Sequence, residues 1–243
     1  MKLTSPKITC LMECSIDGRI DEQRWSRMYD PDGEGNPDVY YETRDKIDPQ
    51  VALLGRTTIE KNFTSKRFSS DSFTPPVSTA PFLGIRAKEK MTAVFDAQGT
   101  LAFDSNVIWG STLIMVLGSS LVSEEYLDYL RKHEISYIFA GADGHDYKEA
   151  IRSLYEDFGL KNILLAGGGI LNGHFLKAGL IDEIYLVLYP GIDGFSGTNS
   201  IFEYQGDDTD KPSESLTLEL LGCKEIRAGV ILLHYAIHKI EEE

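Results

Sequence analysis

The sequence predicts an α/β fold with a central, mostly parallel sheet and an antiparallel hairpin at its C-terminal end. Three observations lead there. Short β-rich runs alternate with amphipathic helical stretches along the chain. Glycine, proline and Asp-Gly or Asp-Pro pairs punctuate the boundaries between them. The last two strand-like runs follow one another without a helix, whereas helices separate most earlier ones, as parallel strands require.

The elements read as follows. Ile8–Cys14 is a strand ended by Asp17-Gly18, and Asp38–Ile47 a helix stopped by Asp48-Pro49. Val51–Leu54 reads as a buried strand and Thr57–Phe63 as a short helix, with a Ser-, Thr- and Pro-rich loop over Thr64–Pro81. Met91–Phe95 and Thr112–Leu117 are strands. Ser123–Lys132 is a helix, because Ser123 can cap it and two glutamates follow. Ile135–Ala140 is a strand, and Tyr147–Phe158 a helix stopped at Gly159. Asn162–Ala166 is a strand running into three glycines, followed by a helix over Ile170–Ala178. The uncharged strand Ile184–Tyr189 is closed by Pro190, and Leu216–Leu221 with Val230–Ile237 forms the hairpin. No repeat or linker divides the 243 residues, so one domain is expected.

The net charge of −14 disfavours nucleic acid or an anionic membrane as a partner. No run reaches the roughly 18 apolar residues of a membrane span, and the stretch Met1–Cys14 lacks a signal-peptide cleavage signature. The three cysteines, Cys10, Cys14 and Cys223, fit neither a disulfide framework nor a metal site and read as reduced thiols. The acidity is uneven. Arg56–Lys90 holds seven basic residues against Glu60, Asp71 and Glu89, so it is locally +4 and the remainder −18. Such an island suits a phosphorylated small molecule and equally a solvated loop.

Two glycine motifs sit where a strand meets a helix. In Gly55-Arg56-Thr57-Thr58, glycine admits a ligand to the backbone and Arg56 adds a cation. In Gly167-Gly168-Gly169-Ile170-Leu171, a pyrophosphate could lie on the next helix. Taken alone, either reads more simply as a tight turn, and neither is the dinucleotide fingerprint of a first βα turn. Two acids are candidate catalysts. Glu13 lies in an apolar strand, where an unpaired carboxylate is costly, so it faces either a site or a partner. Asp38, seventeen residues before Gly55, follows Pro37 and reads more simply as a helix cap.

The stretch from Leu164 to Ile184, which includes Gly167-Gly168-Gly169-Ile170-Leu171-Asn172-Gly173-His174, closely resembles the C-terminal signature of the pyrimidine reductases of riboflavin biosynthesis. Ser15-Ile16-Asp17-Gly18-Arg19-Ile20 resembles their N-terminal motif, and Gly55-Arg56-Thr57-Thr58 that of dihydrofolate reductase. The resemblance runs from about Ile8 to His238. It implies a dihydrofolate-reductase-like, three-layer fold and an NADPH-dependent reduction. The implied substrate is a small phosphorylated heterocycle such as 5-amino-6-(5-phosphoribosylamino)uracil. A cytoplasmic homodimer is implied too.

By the same resemblance, Gly55, Arg56, Thr57, Thr58, Asp96, Ser119 and Gly167 to Leu171 would hold the cofactor. Leu11, Glu13 and Asp17 would face the substrate, and no metal is needed. The chain departs from the family at Leu11, where a lysine is usual, and in Thr64–Phe73, which lacks the usual Leu-Thr-x-Arg. Both positions concern substrate phosphate. A dihydrofolate or pterin reductase using Asp38, or a non-catalytic NADPH-binding protein, are the alternatives.

Overall fold

The computed structural model describes residues 5–240 except 71 and 208. Asp71 of the basic segment and the first four residues of the N-terminal stretch therefore lie outside the described residues. In chain order the elements are β1 (Lys7–Ser15), a 3-10 turn (Glu22–Arg24), α1 (Val39–Ile47), β2 (Val51–Gly55) and α2 (Arg56–Asn62). Then come β3 (Met91–Phe95), β4 (Val107–Ile108), β5 (Ser111–Leu117), α3 (Glu124–Lys132), β6 (Ser136–Phe139) and α4 (Tyr147–Glu156). The chain ends with β7 (Asn162–Leu165), α5 (Gly169–Lys177), β8 (Glu183–Tyr189), β9 (Leu216–Arg227) and β10 (Val230–Lys239). Two compact units result, one built on Gln50–Ile163, the other on Lys7–Pro49 with Leu164–Glu243.

In the first unit β2, β3, β5 and β6 run parallel in that spatial order, with Leu53 opposite Ala93, Ala93 opposite Ile114 and Ile114 opposite Ser136. Strands covered on both faces read as unbroken apolar runs, and Leu53, Ala93, Ile114 and Ile138 are fully buried. Each such Leu or Ile contributes about 1.5–3 kcal/mol relative to exposure. Helix α3 begins where Ser123 Oγ accepts the Tyr126 N–H, and it buries Tyr126, Leu127 and Leu130. Asp146 caps α4 in the same way, accepting from Glu149 N at 2.9 Å. Among its described residues the long loop after α2 has no helix or strand, as expected; Phe68 pins it by packing its ring 5.0 Å from that of Tyr126. The two-residue β4, antiparallel to β5, is too short to leave a periodic signal.

In the second unit β1 and β8 pair in parallel, Glu13 opposite Val187, and β10 lies antiparallel to β8 and to β9. The hairpin is longer than the sequence suggests. Gly222 and the polar residues after it look like a turn, yet a register shift at His234/Tyr235 carries the pairing through to Arg227. The true turn is Ala228-Gly229, both with positive φ, which matches the twist of a two-residue hairpin loop. β8 also begins one residue early, at Glu183, whose carboxylate meets Lys7 at 2.7 Å and His234 at 3.1 Å. The expected mostly parallel sheet with an antiparallel C-terminal hairpin is thus present.

Candidate active site

The triple glycine joins β7 to α5. Gly167 has φ +93°, which only glycine adopts freely, and the Gly167–Gly168 peptide is cis. A Cβ on Gly167 would lie 2.9 Å from Met12 Sδ, and one on Gly169 only 2.2 Å from the Ser200 carbonyl oxygen. The segment Ser200–Tyr204 crosses α5 here, with Glu203 N donating to Gly169 O at 2.9 Å and Asn172 Nδ2 to Ile201 O at 2.8 Å. Two of the three glycines are therefore required by the chain's own packing. Gly168, the N-cap, offers no side chain to the first turn of α5, so the leading N–H groups there have no capping side chain. Ile170 is exposed beside them, whereas Leu171 is buried and belongs to the core.

On β1 of the same unit, Glu13 is half-buried. Burial first, then the nearby Glu22 and Asp38, push its pKa up to about 7, against a hydrogen bond from the Asn36 side chain that lowers it. Asp38 accepts the Tyr41 N–H at 3.4 Å as the N-cap of α1, so its first role is the cap. One expectation needs correction. Leu11 is completely buried and presents no surface to a ligand. Asp17, expected at the substrate, accepts from Ser15 Oγ at 2.6 Å, Asp193 N at 3.1 Å and Gly194 N at 2.8 Å. Those donors hold its pKa down at about 2 and make it the tie between the β1 turn and the 193–194 loop.

In the other unit Gly55 caps α2. Arg56 Nη1 meets Glu60 at 2.9 Å, Thr57 is exposed, and the Thr58 carbonyl accepts from Asn62. Asp96 also needs correction. It is almost fully buried, and its carboxylate accepts Thr100 N at 2.6 Å and Leu101 N at 2.8 Å, so it shapes its own turn and does not face a ligand. Its burial raises its pKa while those bonds lower it. Ser119 is half-buried, and its backbone N–H donates to the Gly141 carbonyl.

Sequence reasoning missed Asn36 as the partner of Glu13, because a loop asparagine between glycine and proline looks like turn chemistry. It also missed the pairing of Arg67 with Glu60, seven residues apart. Tyr40 and Tyr41 pack edge to face at 5.4 Å, while Tyr29 is exposed. Cys10 and Cys14 are buried and their thiols are pushed up to about 12 and 11, chiefly by burial, so neither is a nucleophile; Cys223 is exposed. Among the described residues no group of three or more His, Cys, Asp or Glu could hold a metal ion.

The chain is an oxidoreductase of the pyrimidine-reductase class. It belongs to the RibD C-terminal domain family, whose model matches residues 6–232. Among solved structures it is similar to a pyrimidine reductase-like protein of Corynebacterium diphtheriae, with 15% identity, a TM-score of 0.67, and 96% of this chain and 92% of that one covered. It is similar to RibD of Acinetobacter baumannii, at 18% identity and a TM-score of 0.61, where 96% of this chain spans 58% of that one. The riboflavin biosynthesis reductase Rib7 of Saccharomyces cerevisiae aligns at 16% identity and a TM-score of 0.60, covering 96% and 90%. At these identities the likeness is one of fold.

Proposed function

We propose that the chain reduces a small phosphorylated heterocycle of the riboflavin-precursor kind, such as 5-amino-6-(5-phosphoribosylamino)uracil or its diaminopyrimidine relative, with NADPH. The observation that carries this reading is Glu13, a half-buried acid with a pKa of about 7 on β1, in the same unit as the uncapped first turn of α5. A group half-protonated at neutral pH can both give and hold a proton.

Within the second unit the residues fit a diphosphate. The leading N–H groups of α5, with Gly168 and Ile170, suit a pyrophosphate. In the other unit, Gly55, Arg56, Thr57 and Thr58 are cofactor contacts on the strength of their motif alone. When bound, NADPH supplies the hydride. Glu13 would then hold a proton at its carboxyl oxygen, orient an amino or imine nitrogen of the substrate, and release the proton to that nitrogen as charge develops there. Asn36 fixes the carboxyl rotamer by donating to it.

Leu11 stands where the family usually has a lysine, which favours a substrate that diverges from the family's own in how its phosphate is recognised. The family match runs through both units, which supports treating them as one reductase domain. Leu218 and Leu220 on β9 are more than half exposed beside the half-exposed β10, an apolar sheet surface that supports a homodimer. Among the described residues no helix is long and apolar enough to cross a membrane, and with the acidic charge this supports a cytoplasmic setting.

The test is NADPH oxidation, followed by absorbance, with phosphoribosylaminopyrimidine, pterin and simple carbonyl substrates in parallel. Turnover of the pyrimidine is expected. Turnover of a pterin alone would move the assignment to the dihydrofolate class, and binding without turnover of any substrate would make the chain a nucleotide-binding protein.

A further inference from the structure

The tip of the β9–β10 hairpin is tied to the loop that carries Asn36. Arg227, the last residue of β9, stands at the base of the Ala228-Gly229 turn. Its Nη1 pairs with Glu34 Oε2, and its Nη2 donates to the Gly35 carbonyl at 2.7 Å. One residue further on, the Asn36 side chain donates to the Glu13 carboxylate. Hairpin tip, loop and acid are thus linked in series, all within the second unit.

Little else places this loop. None of Tyr29–Asn36 is buried. A cavity of about 490 Å³ separates Tyr29–Glu34 from Pro190 and the Arg227–Gly229 turn, so the loop does not pack against the hairpin there. Asp30 accepts from Glu34 N and Gly35 N, which shapes the loop internally without fixing it to the unit. Among the described residues, the hydrogen bonds and ion pairs that leave Tyr29–Asn36 run to Arg227 and to Glu13. A segment with so few buried contacts is held by its polar ties. Arginine suits that task, because its planar fork grips a carboxylate and backbone carbonyls together.

We infer that Arg227 is a positioning residue of the reduction: from the hairpin tip it holds the loop where Asn36 can bond Glu13, and it acts on the acid through that bond. The inference rests on the reading of Glu13 as the acid. The charges that act on Glu13 are Glu22 of the 3-10 turn and Asp38 at the cap of α1. Cys14 and Tyr40 are the other titratable groups beside it, and β8 opposes it with the apolar Val187. Neither Arg227 nor Glu34 is among the charges that act on it.

Glu34 separates the loop from a bare effect of charge. By charge alone, removing the Glu34 carboxylate would make Glu13 easier to ionise and lower its pKa. Acting through the loop, the same change frees Asn36 and raises it. The experiment follows the Glu13 carboxyl by carbon-13 NMR in the full chain labelled at glutamate, over a pH series, with Glu13→Gln identifying the signal. Neither substrate nor cofactor is needed. The wild-type midpoint is expected at about 7. Arg227→Gln should raise it by about 0.5–1 pH unit, the scale of one hydrogen bond to a carboxylate. Glu34→Ala should raise it by less, because the bond to Gly35 remains. Asn36→Ala should match Arg227→Gln, and the double variant should go no further. Arg227→Lys, which keeps the charge and loses the fork, should fall between wild type and Arg227→Gln. With the pyrimidine substrate, the pH at which turnover declines should rise in step.

An unmoved midpoint in Arg227→Gln, a lower one in Glu34→Ala, or full rescue by Arg227→Lys would overturn the inference and leave Glu13 as the acid. Glu34 is exposed, so Glu34→Ala decides the matter if Arg227→Gln does not fold. A wild-type turnover profile that ignores the Glu13 midpoint would instead overturn the reading of Glu13 as the acid.

Discussion

At the scale of single residues, Glu13 is the acid on which the proposed chemistry rests, and its titration can be measured. Its ordinary value is near 4.5 and its folded value about 7, so between those pH values the folded chain holds a proton that the unfolded chain has lost. This group's contribution to stability is therefore full below about pH 4.5 and falls as the pH rises to about 7. Glu13→Gln should flatten that slope in a pH series of urea melts; an unchanged slope would show that the acid is not perturbed. The same variant should keep NADPH affinity and lower turnover by about 10²-fold or more, and wild-type turnover should decline above pH 7 as the acid ionises. Asp17 has the opposite sign. Held at about 2, it stabilises the fold above its ordinary value of 3.8 and loses that contribution in acid. Asp17→Asn should thus lower the melting temperature at pH 7 more than at pH 2. A carboxylate in a motif signals that something is bound, but not whether the partner is a ligand or the chain's own loop; Asp17 and Asp96 both turned out to hold loops.

At the scale of elements, the junction of β7 and α5 separates two uses of glycine that are identical in sequence. A Cβ at Gly173 would come within 2.5 Å of the Glu203 backbone, and backbone cannot move aside as a side-chain tip can. Gly173→Val should cost at least about 1–3 kcal/mol by overpacking, which lowers the melting temperature by several degrees in a chain of this length. Gly168 has φ −71°, a value any residue adopts, and as N-cap it faces the start of the helix. Gly168→Val should therefore keep a near-native melting curve and lose NADPH binding. If instead it binds NADPH normally while folded, the turn is only a turn. The helices behaved as read, because capping is local: Ser123 and Asp146 each satisfy an N–H three residues on, and Ser123→Ala should cost about 1 kcal/mol.

At the scale of the whole molecule, ligand and self-association are the two quantities to measure. NADPH at a hundred times its dissociation constant should stabilise the chain by about 2.7 kcal/mol, seen as a rise of several degrees in the melting temperature that NADH at equal concentration does not match. Light scattering at micromolar concentration should give a dimer mass. Leu220→Glu, which places a charge on the exposed apolar surface of β9, should give a monomer that still melts cooperatively. A monomeric wild type would remove the homodimer from the proposal.

The sequence by itself determined the α/β class, the order of the principal strands and helices, the helix caps and the glycine turn at α5. Each of these depends on residues within a few positions of one another, through side-chain period, capping and turn chemistry. Only the tertiary structure decided that Leu11 is core, that Asp17 and Asp96 face their own backbone, and that Ser200–Tyr204 fills the space over Gly169, one of the expected ligand glycines. It also decided that Arg67 shares Glu60 with Arg56, and that the hairpin runs on to Arg227. Those outcomes are contacts between residues remote in sequence or brought together across a loop. A glycine, an aspartate or an arginine has the same local propensities whichever partner it meets, so the chain must be folded before its partner is known.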